Sequence, residues 1–334
     1  MEREPLPVIS EDERRSVEAE TPFVHVDAAF SGGFGHAEDG VPCQDYAASG
    51  FSESRETALF AALSDGCSSS PFTDVGSRLL CLSALSELGR RHRAPASEIA
   101  SGSVELAASM ASRLGLSMRS LEGTLCFVRA FGDLAEAFVG GDGLMVFSGG
   151  NASVVVSVDW AGNMPLYPIY GLSENALSSF ASKSSSFAAS EGRGELRVAV
   201  EALSSSGERS SLFLEEFSVA DGASGISLTW LSDGTCLLSG CEVPRLSGFF
   251  GDGFPEVLSV FSDGAVDFRS HDGSAFSPSA SVLELTRFPS SRTGAFAERR
   301  LRKALSRLAS AGVRPRDDVS LAVLSRSTAS SDAS

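Results

Sequence analysis

Apolar and polar positions alternate with two different periods along this chain, and the changes of period mark its elements. "FVHVDAAF" (23–30) alternates residue by residue and predicts a strand, while "TALFAALSD" (57–65) is almost continuously apolar and predicts a buried one. Beyond it Phe72, Val75, Leu79, Leu82, Leu85 and Leu88 recur every three or four residues, the spacing of a helix, with Ser70-Pro71 or Thr73-Asp74 as its start signal. A second helix is expected over 97–115. "GTLCFVRAFGDLAEAFVGGDGLMVFSGG" (123–150) reads as successive antiparallel strands joined by Gly-Asp turns, and "SVVVSVD" (153–159) adds another.

From Gly171 to Ser211 the chain is Ser-rich and weakly periodic, which predicts an excursion or loop rather than core. The strand pattern resumes from Ile226 to Phe261. "AFAERRLRKALSRLASAG" (295–312) is an amphipathic helix stopped by Gly312, with "RRLRK" (299–303) as its solvated face, and "VSLAVL" (319–324) closes the fold as a strand. Runs of strands interrupted by helix pairs, without strict βαβ alternation, predict an α+β fold with antiparallel sheets.

Composition adds limits. The length of 334 residues suits one large domain, expected over 21–326 between a mobile acidic tail (1–20) and a short tail (327–334). With 27 Lys and Arg against 43 Asp and Glu, the net charge of −16 repels a phosphate backbone, so nucleic acid is not an expected partner. No apolar run approaches the roughly 18 residues of a membrane span, and a charged start replaces the apolar core of a secretory signal, so a soluble, cytoplasmic protein without a membrane partner is expected. The six Cys show no CxxC spacing and read as reduced thiols.

The distinctive feature is an Asp wherever an apolar run meets a turn. It recurs in "GHAEDGVPCQDY" (35–46), "ALFAALSDG" (58–66), "EAFVGGDG" (136–143), "VLSVFSDG" (257–264) and "RPRDDVSLAVL" (314–324). Asp-Gly is a favoured turn dipeptide, and each occurrence alone has that ordinary explanation. Taken together, acids at the ends of strands can converge, and oxygen-only ligands suit hard dications such as Mg²⁺ and Mn²⁺. Two carboxylates about 4 Å apart repel by roughly 4 kcal/mol at an effective dielectric of 20, so a converged set needs cations. A pair of such ions can hold a hydroxide and clamp a phosphoryl oxygen, which is hydrolytic phosphate chemistry.

Competing chemistries lack their residues. The only Lys, Lys183 and Lys303, do not follow a Gly, which excludes a GxxxxGK phosphate loop. The four His have no HExxH spacing, and neither a GxSxG elbow nor a GxGxxG turn is present.

In order and flanks these motifs resemble the metal-dependent Ser/Thr protein phosphatases of the 2C type, especially a bacterial branch whose early motif runs Gly-x-x-His and then Gly-x-Pro-Cys-Gln-Asp. The matching stretches are "GHAEDGVPCQDY", "LSDGCSSSPFTDVGSRLL", "GTL" followed by "VGGDG", "SVFSDGAVD", and "AFAERRLRKALSRL" leading to "DDVSLAVL", spanning about residues 23 to 325. The resemblance implies a four-layer αββα sandwich, two antiparallel sheets flanked by helices, with two metal ions at one end. It implies Asp45, Asp65, the Gly66 carbonyl, Asp263 and Asp317 as core metal ligands, and Asp142 and Asp267 at an additional, weaker ion. Its pattern favours Asp317 over the adjacent Asp318, and Asp263 over Asp233 in the second "LSDG" (231–234), which reads as a hairpin turn.

The activity so implied is hydrolysis of phosphoserine and phosphothreonine in proteins by a hydroxide held between two Mn²⁺ or Mg²⁺ ions, with Asp45, Asp65, Asp263 and His36 in the catalytic set. The implied partners are a phosphoprotein substrate and a Ser/Thr kinase or its targets, and a monomer is expected. Two positions depart from the pattern. Cys67 stands where many members carry a proton-donating His, and His36 replaces a phosphate-gripping Arg, losing its bidentate fork. These departures leave open an alternative, a catalytically silent relative that binds phosphoproteins. Cys43 and Cys67 flank proposed ligands, which would expose such an enzyme to oxidants.

Overall fold

The computed structural model describes residues 23–52, 57–150, 152–218, 225–251, 253–288 and 292–326. Both expected tails, 1–20 and 327–334, lie outside these residues.

The strands, in chain order, are β1 (Phe23–Ser31), β2 (Asp45–Ser52), β3 (Ala58–Asp65), β4 (Leu125–Phe131), β5 (Leu134–Gly140), β6 (Gly143–Gly149), β7 (Ala152–Trp160), β8 (Leu196–Ser204), β9 (Arg209–Phe217), β10 (Ile226–Leu231), β11 (Cys236–Leu238), β12 (Cys241–Glu242), β13 (Val257–Phe261), β14 (Phe268–Ser270), β15 (Val313–Pro315) and β16 (Val319–Arg326). The helices are α1 (Phe34–Asp39), α2 (Thr73–Arg91), α3 (Ala96–Arg113), α4 (Glu174–Glu191), α5 (Pro278–Thr286) and α6 (Phe296–Ser310). One seven-stranded sheet has the order β1-β16-β13-β6-β7-β8-β9 and the other β12-β11-β10-β5-β4-β3-β2, with every pairing antiparallel.

The period of two explains how the sheets stack. In β3, Leu59, Ala61 and Leu63 face the opposite sheet, while Ala58, Phe60 and Ala62 face α2 and α3. In β16, Ala322 and Leu324 enter the core between the sheets, while Val319, Leu321 and Val323 meet α5 and α6. Central strands are therefore apolar on both faces, which is why their sequences run apolar without a break. The result is the expected αββα sandwich, with α2 and α3 outside one sheet and α5 and α6 outside the other.

The Ser-rich stretch differs from its reading as a loop. It forms α4, which buries Phe180, Ser184 and Ala188 at four-residue spacing, and then the β8–β9 hairpin that extends the first sheet. Ser173 caps α4 by accepting from the Ala176 amide, and Gly192, at φ 67° in the left-handed region, ends the helix. Small Ser and Ala side chains pack this face without the bulky stripe that sequence periodicity detects. The basic run of α6 also differs in one position: Arg299, Arg302 and Lys303 are exposed, but Arg300 is buried against Glu284, 2.6 Å away.

Candidate metal centre

Antiparallel pairing brings the acidic strand ends to one edge. Asp45 opens β2 and Asp65 closes β3, and the two are direct cross-strand partners. Asp142 occupies the turn between β5 and β6, Asp263 follows β13, and Asp317 and Asp318 precede β16. Because the end of β13 pairs with the starts of β6 and β16, the acids of this sheet share one rim. The rims of the two sheets are tied together there: Ser262 Oγ donates to Asp45 Oδ2 at 2.8 Å, and the Gln44 amide donates to Asp318 Oδ2 at 2.6 Å.

The glycines beside the acids permit this closeness. A Cβ on Gly264 would lie 1.8 Å from the Asp318 carbonyl oxygen, and one on Gly66 would lie 2.7 Å from the Thr73 Cβ. Gly66 donates its amide to the Gln44 carbonyl at 3.2 Å, while the Asp65 carbonyl accepts from the Thr124 amide at 2.8 Å.

Burial, and then the charge of neighbouring acids, perturb these carboxyls. Burial, and then the neighbouring Asp45, Asp263, Asp142 and Asp317, raise the Asp65 carboxyl well above the ordinary range. Burial followed by Asp263 does the same to Asp142, and burial followed by Asp317 raises Asp263. Asp45 is pushed up to about 7, chiefly by burial, with the Ser262 bond opposing the shift and the Asp318 charge adding to it. Asp65 stands within hydrogen-bonding reach of both Asp45 and Asp263. Asp45 Oδ1 is buried without a hydrogen-bond partner. An all-oxygen cluster with an orphaned inward acceptor fits a hard divalent cation.

Asp267 lies apart from this core. It forms an ion pair with Arg269 at 2.9 Å, its charge reaching Asp263 from outside. Asp317 and Asp318 divide their tasks. The Asp318 carboxylate is buried and accepts from the Gly33 amide at 2.7 Å as well as from Gln44, so it staples the 32–44 loop to β16. Asp317 is half-buried and is the one of the two whose charge reaches Asp65, Asp142 and Asp263. His36, on α1, sets Nδ1 3.0 Å from Asp318 Oδ2 and 3.7 Å from Asp317 Oδ1, and its Nε2 is 3.4 Å from Ser68 Oγ.

The family model of Protein phosphatase 2C matches residues 32–192. Over that segment, just under half of its length, the chain is similar to the protein phosphatase 2C family. Among solved structures, a serine/threonine phosphatase of S. agalactiae is similar at 14% identity, over 90% of this chain and 99% of its own, with a TM-score of 0.47. Serine/threonine phosphatase Stp1 of Staphylococcus aureus is similar at 11% identity over 94% and 99%, with a TM-score of 0.44. The catalytic domain of the serine threonine protein phosphatase PstP, in complex with 2 manganese ions, is similar at 13% identity over 90% and 97%, with a TM-score of 0.42. No curated protein matches.

Three residues of this site escape sequence reasoning. Ser262 and Asp318 act through contacts 217 and 285 residues apart in sequence, which no local pattern records. Tyr167 brings its phenol within hydrogen-bonding reach of Cys67; burial, and then Cys67 and Asp142, hold that phenol protonated. Cys43 is pushed up to about 12 by burial and by Asp318 and Asp45, which keeps the thiol protonated and weakens the expected oxidant sensitivity at that position. Asp233, by contrast, is exposed and accepts from the Thr235 amide at 2.8 Å, an ordinary turn contact. No helix among the described residues is long and apolar enough to cross a membrane.

Proposed function

We infer that the chain is a metal-dependent phosphatase that removes phosphate from phosphoserine and phosphothreonine in proteins, the targets of a Ser/Thr kinase. The observation that carries this reading is the gathering of Asp45, Asp65, Asp142 and Asp263 at the joined sheet edges, with Asp45 Oδ1 buried and unpartnered. Burial first, and then neighbouring acid charge, raise these carboxyls, a cost that divalent ions relieve.

Asp45, Asp65, the Gly66 carbonyl, Asp263 and Asp317 would hold two ions, Mn²⁺ or Mg²⁺, with Asp142 and Asp267 beside a further one. Such ions supply a water acidic enough to attack phosphorus near neutral pH, together with a clamp for phosphoryl oxygens. The side chains around them set the geometry. Ser262 orients the Asp45 carboxylate, and His36 directs Nε2 toward Ser68, where a phosphoryl oxygen can accept from it. Tyr167, kept protonated beside Cys67, offers a donor where the resemblance leads one to expect a His.

The test is hydrolysis of p-nitrophenyl phosphate and of a phosphothreonine peptide with Mn²⁺ or Mg²⁺, with and without chelator, for the wild type and Asp263→Asn. Chelator-sensitive turnover is expected, falling on the order of 100-fold in the variant. A folded, metal-loaded sample that turns over neither substrate but still binds the phosphopeptide would replace this reading with that of a phosphoprotein-binding module.

A further inference from the structure

His36 departs from an oxygen-only site in a way that its geometry explains. Its Nδ1 is buried, and no hydrogen bond reaches it, although Asp318 Oδ2 is 3.0 Å away and Asp317 Oδ1 3.7 Å. The Asp318 oxygen is near but poorly aligned for a ring N–H, and it is already fixed by the Gln44 amide. One ligand atom from each of the three residues lies within 4.8 Å of the others. Ligands held at about 2.1 Å and at right angles around one ion stand roughly 3.0 Å apart, and about 3.6 Å apart at a wider angle of ~120°. Both His36 distances fall on that scale. A single cation among the three atoms satisfies the orphaned nitrogen and both carboxylates at once.

We propose that His36 Nδ1, with Asp317 and Asp318, binds a divalent transition-metal ion, Mn²⁺ or a similar borderline cation, at the rim of the acid cluster. An imidazole donor favours such ions over Mg²⁺, which prefers oxygen alone, so His36 makes the centre selective. Coordination through Nδ1 also fixes the ring proton on Nε2. That nitrogen then becomes an obligate donor toward Ser68 Oγ, 3.4 Å away, and toward whatever anion displaces it. The proposal rests on the reading that the acid cluster holds divalent ions.

The experiment is pulsed electron paramagnetic resonance of the full chain, stripped with chelator and reloaded with Mn²⁺ to a stoichiometry measured by calorimetry. Nitrogen modulation from a directly bound imidazole is expected in the wild type and absent in His36→Gln. The ratio of Mn²⁺ to Mg²⁺ affinity is expected to fall about tenfold in the variant. His36→Arg, which supplies a donor without a ligating lone pair, is expected to lose the signal as well, and circular dichroism establishes that each variant is folded. Bound Mn²⁺ without nitrogen modulation in the wild type overturns the assignment of His36 and leaves the oxygen-ligand reading intact. Failure to bind Mn²⁺ at all overturns both.

Discussion

Asp45 and Asp65 oppose each other on the terminal rung of the β2–β3 ladder, and Asp65 reaches Asp263 of the other sheet as well as Asp45. Their protonated forms are favoured by folding, so the metal-free folded chain binds more protons than the unfolded chain. The stability this contributes is fully present below about pH 4 and is lost as pH rises through about 7, the value for Asp45. Divalent cations should reverse the trend. Thermal unfolding in chelator is expected at a lower temperature near pH 8 than near pH 5.5, with Mn²⁺ restoring several degrees at the higher pH and little at the lower. An equal Mn²⁺ effect at both values would mean that these carboxyls are not the binding groups.

Ser262 couples the sheets at the same point. Its hydroxyl donates to Asp45 Oδ2 at 2.8 Å and accepts from the Ser320 amide at 2.9 Å, entirely buried. Ser262→Ala removes both contacts and leaves a buried amide without its acceptor, at a cost of about 2–3 kcal/mol. Urea denaturation is expected to show that loss, and calorimetry a weaker Mn²⁺ affinity, because Asp45 loses the bond that orients it. A stability loss with unchanged affinity would confine Ser262 to the fold.

Asp27 shows the same titration logic away from the site. From β1 it accepts from the Ala297 amide at 2.7 Å at the start of α6, a helix whose own N-cap residue, Ala295, makes no side-chain bond. Burial nevertheless pushes its carboxyl up to about 6, outweighing the bonds from Ala297 and Ala28. The stability of its protonated form is present below about pH 4 and lost as pH rises through about 6, a swing of up to about 3 kcal/mol. Asp27→Asn cannot ionise but keeps one acceptor for the cap. It is expected to be less stable than the wild type near pH 4 and more stable near pH 8, as read from urea midpoints. Parallel pH curves for the two proteins would refute this.

What the sequence makes legible follows from range. Strands with apolar faces on both sides write themselves as continuous runs, so β3, β13 and β16 and the acids that end them are readable, and their shared edge follows from antiparallel pairing. The α4 helix is not readable because Ser184 and Ala188 bury small side chains and give little periodic contrast. Its signals were the Ser173 cap and Gly192 stop. Asp318 and Asp317 are adjacent acids with different tasks, and only the distant Gly33 and Gln44 amides distinguish them. His36 reads as a substitute for an Arg, whereas the orientation of its two nitrogens exists only in three dimensions.

The repeated "SDG" turns give the sharpest comparison. Gly234, at φ 85°, follows an exposed Asp233 in the β10–β11 turn, and a Cβ there would meet nothing closer than 3.5 Å. Gly264 follows Asp263 without a positive φ, but its Cβ would fall 1.8 Å from the Asp318 carbonyl. Gly234→Ala is therefore a conformational penalty of about 1–2 kcal/mol, remote from the acids. Gly264→Ala must displace either the Asp263 turn or the Asp317–Asp318 segment that leads into β16. Both variants are expected to melt earlier than the wild type, but only Gly264→Ala should lose Mn²⁺ binding in calorimetry and phosphate-ester turnover. If Gly234→Ala lost them equally, the effect would be general destabilisation, and the close approach of Gly264 to Asp318 would have no special part in shaping the centre.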